Sequence, residues 1–179
     1  VINDGNSGLN YNIIYVNNTT GVISAKGLTV VGATTNSKIY NGSANATINF
    51  GPATLVGIIS GEGALVSLNS AGYSATFNNK NVGTGKTVTV SGLSLSGDGA
   101  SNYSLAQPTL NDGAITSRTL IITATGIHKV YDANTTATVT LSDDRVSGDN
   151  LTLGYTATFT DKNVANGKAV SVSGISITG

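Results

Sequence analysis

The segment YSATFNNKNVGTGKTVTVSGLSLSG (residues 73–97) returns as YTATFTDKNVANGKAVSVSGISITG (residues 155–179), in constant register 82 positions later. Upstream, SKIYNGSANATI matches HKVYDANTTATV, with Tyr40 and Tyr131 lying 91 positions apart. The second copy therefore has the shorter middle, where ISGEGALVSL faces VSGDNLTL. A third relation joins NYNIIYVNNTTGVISAKGLTV to NYSLAQPTLNDGAITSRTLII, Tyr11 with Tyr103, 92 positions apart. A period of about 90 residues is the size of a small domain, and it constrains this chain more than any single motif.

The phase of the repeat predicts the organisation. Residues 27–118 hold one complete unit, residues 119–179 the N-terminal two-thirds of a following unit, and residues 1–26 the C-terminal strands of a preceding one. Modules at 1–97 and 98–179 fit equally well. Either division predicts two periods of a longer array, in which each unit buries a small core and contacts its neighbours.

Within each copy the apolar pattern alternates: Val88 and Val90 share one face, as do Val170 and Val172. After the Ser-Gly pair the phase slips, so that Leu93 and Leu95, like Ile175 and Ile177, fall on odd positions. A one-residue slip reverses the two faces of a strand, and a β-bulge at Gly92 and Gly174 would restore them. The chain has one Glu and one Gln but many Thr, Val, Ile, Ser and Asn residues. That balance, with no 3.6-residue apolar stripe, predicts an all-β fold of tandem β-sandwich or β-grasp-like modules. GAITSR runs into TLIITA without a Pro or Gly linker, so adjacent units are expected to share one nearly continuous strand, stiffening an elongated rod.

Composition removes several function classes. Net charge is zero and 10% of residues are charged, so no basic stripe exists to hold nucleic acid. No apolar run is long enough to span a bilayer. Cysteine is absent, which excludes disulfides, thiolate catalysis and cysteine-based metal sites.

The stretch NVGTGKT (residues 81–87) imitates the end of a phosphate-binding loop, but the position five before Gly85 is Lys80 rather than Gly. The second copy reads NVANGKA, so a turn entering a strand accounts for both. His128, the only histidine, stands opposite Ser37 and reads as an ordinary strand residue. Asp161 faces Asn79 and Asp132 faces Asn41, which leaves no repeated carboxylate pair for acid–base chemistry. The clusters NDGNSG (3–8), SGDGASN (96–102) and SGDN (147–150) carry oxygen ligands of the kind Ca²⁺ takes, without the spacing of a calcium loop. Lys38 pairs with Lys129, Lys80 with Lys162, Lys86 with Lys168, and Lys26 with Arg118; Arg145 alone has no counterpart. Regular lysines suit strand edges, and a Lys–Asn crosslink would need a nearby carboxylate that the repeat does not keep. Asn-x-Ser/Thr sequons occur at Asn18, Asn41, Asn45, Asn102, Asn134 and Asn150. No catalytic, cofactor-binding or metal-ligating residue is assigned.

The ordered set of motifs, Lys-x-Tyr-Asn/Asp-Gly/Ala, TF-x-x-KNV, GK-x-V-x-VSG and NY-x-L, resembles the YDG-type repeat of large exported bacterial proteins, including filamentous-haemagglutinin-like adhesins. The naming triplet is varied here as Tyr40-Asn41-Gly42 and Tyr131-Asp132-Ala133. The resemblance implies a non-enzymatic, extracellular module of a bacterial cell-surface adhesin or filament. Its partners would be neighbouring repeats, or further copies joined head to tail by strand complementation. The alternative expectation is a ligand-binding module recognising glycan or a host protein through residues 51–72.

Overall fold

The computed structural model describes residues 3–179. Fifteen strands follow in chain order. They are β1 (Lys26–Val31), β2 (Thr34–Thr35), β3 (Lys38–Ile39), β4 (Ile48–Asn49), β5 (Thr54–Val56), β6 (Ser67–Asn69), β7 (Ser74–Phe77) and β8 (Gly83–Ser91). After these come β9 (Ser94–Ser96), β10 (Tyr103–Leu105), β11 (Thr109–Thr116), β12 (Ile122–Gly126), β13 (Val139–Asp143), β14 (Thr152–Phe159) and β15 (Val170–Thr178). One 3₁₀ turn, Ala100–Asn102, is the only helical segment among the described residues, so the expected all-β class holds. The strands form small sheets of two to four members.

Unit one comprises β1–β11. Its largest sheet has the order β3-β11-β8-β7, with β8 antiparallel to both neighbours and β11 parallel to β3. The alternation read from the sequence places Val88 and Val90 inward, 0% and 1% exposed, against Phe77, Ala75, Ile48, Leu93 and Ile115. Burying a side chain of this size contributes about 1.5–3 kcal/mol. Residues 51–72 are not a free loop. They supply β5 and β6, and Val66 packs with Leu28 and Tyr103 in a second small core that also takes Leu55 and Ile58. The Tyr103 hydroxyl closes that core by donating to Glu62 at 2.5 Å.

Unit two comprises β12–β15, as the pairs β12-β13 and β14-β15. Its core is Ala137, Val139 and Ala157, flanked by half-buried Leu141, Tyr155, Phe159, Val170 and Val172. The shorter middle is closed by Arg145, whose guanidinium grips Asp143 through two hydrogen bonds of 2.7 and 2.5 Å and donates to the Leu151 carbonyl at 2.7 Å. This clamp lowers the Asp143 carboxyl to about 2, the Arg145 side chain being the largest cause.

The expected slip takes a different form in each unit. In unit two Thr156 faces Ser173 but Gly154 faces Ser176, so Gly174 and Ile175 together oppose Tyr155. This is the predicted bulge, with Gly174 at φ +62°. In unit one the ladder breaks instead: β8 ends at Ser91, β9 begins at Ser94, and Gly92 takes φ +78°. Gln107 fills the break, accepting from Leu93 N at 3.0 Å and donating to Leu93 O at 2.9 Å.

The continuous strand expected between units is not formed. β11 ends at Thr116 and β12 starts at Ile122. Asp144 takes the Ile121 N–H at 2.8 Å and the Arg118 guanidinium at 2.7 Å, so the connector is held by a side chain where a ladder was expected.

Candidate functional site

The paired lysines resolve into two repeated knots. In the first, Lys38 Nζ donates to Asn41 Oδ1 (3.0 Å), Ser43 O (2.8 Å) and Asn45 O (2.9 Å), and lies 5.5 Å from the Phe77 ring centroid. Its counterpart Lys129 donates to Asp132 Oδ1 (2.7 Å) and to Asn134 O and Oδ1 (3.0 and 2.8 Å), 5.7 Å from the Phe159 ring. Burial lowers the Lys38 pKa. In the second knot Lys86 reaches Asn79 Oδ1 at 2.7 Å, and Lys168 reaches Asp161 Oδ1.

Each knot is built on an Asx turn. Asn41 and Asp132 accept the backbone N–H two residues on, both at 3.2 Å, and Asn79 and Asp161 do the same at 3.0 and 2.7 Å. Both residue types present an Oδ1 acceptor, which explains why the repeat exchanges Asn for Asp without keeping a carboxylate. Among the described residues Lys38 donates to amide, backbone and hydroxyl oxygens and Lys86 to the Asn79 amide oxygen.

A third cluster joins the units. The Tyr40 hydroxyl lies 2.7 and 3.0 Å from the two oxygens of Asp149, and Lys80 Nζ is 3.4 Å from Oδ1. The Tyr40 hydroxyl, then Lys80, hold the Asp149 carboxyl below its ordinary range. Beside them Val82, Leu120, Val146 and Leu151 line an apolar cleft of about 240 Å³. Gly42, at φ +78°, sits at the contact: a Cβ there would lie 2.7 Å from Val146 Cγ1. The glycine of the signature triplet thus admits the next unit and supplies the left-handed turn. Its counterpart Ala133 takes φ +64° with a side chain.

The fourth feature is a groove of about 730 Å³ in unit two, lined by Ile127, Lys129, Tyr131, Phe159, Lys168 and Val170 among others. Among the described residues β15 pairs with β14 alone, whereas its counterpart β8 is covered by β11.

The sequence candidates find plain places. In NVGTGKT, Gly83–Thr87 begin β8 and Lys86 donates to Asn79. His128 is exposed on the rim of the groove. Asp4 of the 3–8 cluster accepts the N–H groups of Asn6 (2.9 Å) and Gly8 (2.8 Å), and the Gly8 amide is the main cause of its lowered pKa. In the 147–150 cluster Asp149 is engaged by Tyr40. No group of three or more His, Asp or Glu residues that could hold a metal ion occurs among the described residues. Asn18, Asn41, Asn45, Asn102, Asn134 and Asn150 are all exposed, with Asn41 and Asn134 tied into the lysine knots.

Sequence reasoning missed the Tyr40–Asp149 junction. Its signal was present in the retained Tyr40 and Tyr131, but which acid a tyrosine meets 109 residues away is not a local property. It also missed the hydroxyl of Tyr73, and of its counterpart Tyr155, accepting from the Ile48 and Val139 amides at 3.0 and 3.2 Å.

The YDG domain model matches residues 24–110 and again 116–179. Comparisons with curated proteins and with solved structures give no match.

Proposed function

The chain belongs to the YDG domain family, and on that premise we propose that it is a non-enzymatic structural repeat of an extracellular bacterial adhesin or filament. It acts as a stalk whose modules stand in an elongated rod on the cell surface. The observation that carries this reading is the junction between units. A short connector is fixed by Asp144, and the Tyr40–Asp149 contact, Lys80 and the Gly42–Val146 approach brace the units on one side of it. A projecting fibre depends on such a joint, because stiffness accumulates one nearest-neighbour interface at a time.

Small-angle X-ray scattering on the intact chain tests the mechanical part. A single extended particle is expected, with flexibility rising when Asp149→Ala and Gly42→Val are combined; scattering that already requires a flexible ensemble overturns it. Antibody against this chain should label intact cells of the producing bacterium. Staining seen only after lysis overturns the location.

A further inference from the structure

Several hydrogen-bond donors converge on one side-chain carbonyl oxygen in unit one. Asn41 Oδ1 accepts from Lys38 Nζ at 3.0 Å, from Ser43 N at 3.2 Å and from Ser43 Oγ at 3.1 Å. The ammonium is fixed independently of Asn41, because it also donates to the Ser43 and Asn45 carbonyls at 2.8 and 2.9 Å and lies against the Phe77 ring. A carbonyl oxygen surrounded in this way is prepared for negative charge before any reaction begins. An oxyanion hole lowers the barrier to attack at a carbonyl carbon by the same means.

The next residue supplies the nucleophile. Asn41 is followed by Gly42, whose missing side chain leaves its amide nitrogen unobstructed. The Asx turn from Asn41 to Ser43 folds the carboxamide back along the Asn41–Gly42 peptide, so that joining Gly42 N to Asn41 Cγ closes a succinimide ring. Neighbouring turns of unit one separate the two requirements. Asn79 Oδ1 accepts from Lys86 Nζ at 2.7 Å and from Asn81 N at 3.0 Å, but Lys80 follows it. Asn49 Oδ1 accepts from Gly51 N at 2.9 Å, and Phe50 follows it. Of these turns, the one at Asn41 combines the lysine with a following glycine.

We propose that Asn41 is a site of covalent self-modification, converted by its own surroundings to aspartate or isoaspartate through a succinimide. Gly42 N bonds to Cγ while its proton passes through solvent to Nδ2; the Cγ–Nδ2 bond then breaks and ammonia leaves. Lys38 and Ser43 hold the charge that gathers on Oδ1 during the attack. Asn41 is exposed, so water reaches the ring and opens it at either carbonyl. Addition at Cγ gives aspartate and addition at the main-chain carbonyl gives isoaspartate. The departed ammonia takes the proton of the new carboxylic acid. The aspartate product has a template in Asp132, which accepts from Lys129 Nζ at 2.7 Å and from Asn134 N at 3.2 Å. The isoaspartate product instead adds a methylene to the main chain beside Gly42, where the units meet at Val146. The inference concerns unit one and does not rest on the stalk reading.

The test follows position 41 by peptide mapping and tandem mass spectrometry. The intact chain is held in neutral buffer at physiological temperature, beside the same chain unfolded in guanidinium chloride. Conversion is expected to be several-fold faster in the folded chain, because the donors converge only there. Asn79, read from the same digests, should lag well behind. Lys38→Met should bring the folded rate down to the unfolded one, and Lys38→Arg, which restores the charge and N–H donors, should recover part of the difference. Ser43→Ala removes the hydroxyl donor but keeps the backbone one, and should give a smaller loss. Circular dichroism verifies that each variant is folded; if Lys38→Met is not, Ser43→Ala decides. A folded rate no higher than the unfolded one, an Asn79 that keeps pace, or folded variants that react like the unmodified chain overturns the proposal.

Discussion

Units one and two carry nearly the same strand-forming sequence, yet they differ in how much of it is strand. β8 begins at Gly83, but β15 begins only at Val170, the counterpart of Val88. The five positions between, GTGKT in one unit and ANGKA in the other, are ladder in the first and irregular in the second. Composition accounts for part of this, since GTGKT holds two β-branched threonines and ANGKA none. The partner adds to it: Gly83 and Lys86 are paired to β11, and unit two has no strand there among the described residues. Burial follows the same division. Phe77 is 2% exposed while Phe159 is half-buried, and Leu93 is 6% exposed while Ile175 is 45% exposed. One sequence pattern thus gives a closed core or an open one according to whether the third strand is in place.

The strongest test of that account is truncation of the paired phenylalanines. Phe77→Ala should destabilise unit one by about 3–5 kcal/mol, as for a fully buried aromatic. Phe159→Ala should cost about half as much, because its site is already open on the groove side. Urea unfolding followed by circular dichroism measures both, and equal losses would refute the difference in closure.

Next comes Gly113→Ala, which puts a methyl against Phe77 and the Lys86 carbonyl at a cost of about 1–3 kcal/mol. It should also release Gly83–Thr87, so that their amides exchange as fast as those of residues 165–169. Continued protection would mean that this segment is a strand on its own account.

At the turn of the signature triplet, Ala133→Gly removes a side chain from a left-handed conformation and should stabilise unit two by about 1 kcal/mol. Gly42→Ala should weaken unit one by about the same amount and displace Val146 in addition. A thermal melt of each variant decides the sign.

The smallest effect concerns pH at the junction. Asp149 has a folded pKa below its unfolded value, so its contribution is fully present above about pH 4. It is lost as pH falls through the lower, folded value. Amide protection at the junction, corrected for the intrinsic pH dependence of exchange, should be level from neutral pH down to about pH 4 and fall only below it; loss of protection between pH 5 and 7 would refute the assignment.

Much of this was legible in the chain before any fold was seen. The repeat equated Lys38 with Lys129 and Tyr73 with Tyr155, and the members of each pair meet equivalent Asx and backbone partners. The alternation of Val88 and Val90 and the bulge at Gly174 follow from a period of two and its interruption, which are local properties of backbone geometry. The Asn-for-Asp exchanges were visible, but their meaning was not. That both residues serve as Asx-turn acceptors for a lysine depends on where the lysine tip arrives. The junction was misread as continuous strand because no local signal marks Asp144, 23 residues further on, as the group that holds Ile121. The sequence by itself determined the repeat unit, its strands and its turns, since these depend on neighbours a few residues away. The tertiary structure alone decided which strand edges are paired and which Val, Phe and Ile residues leave water. Strand pairing and burial are completed by segments distant in the chain, and among the described residues the third strand is present in unit one and not in unit two.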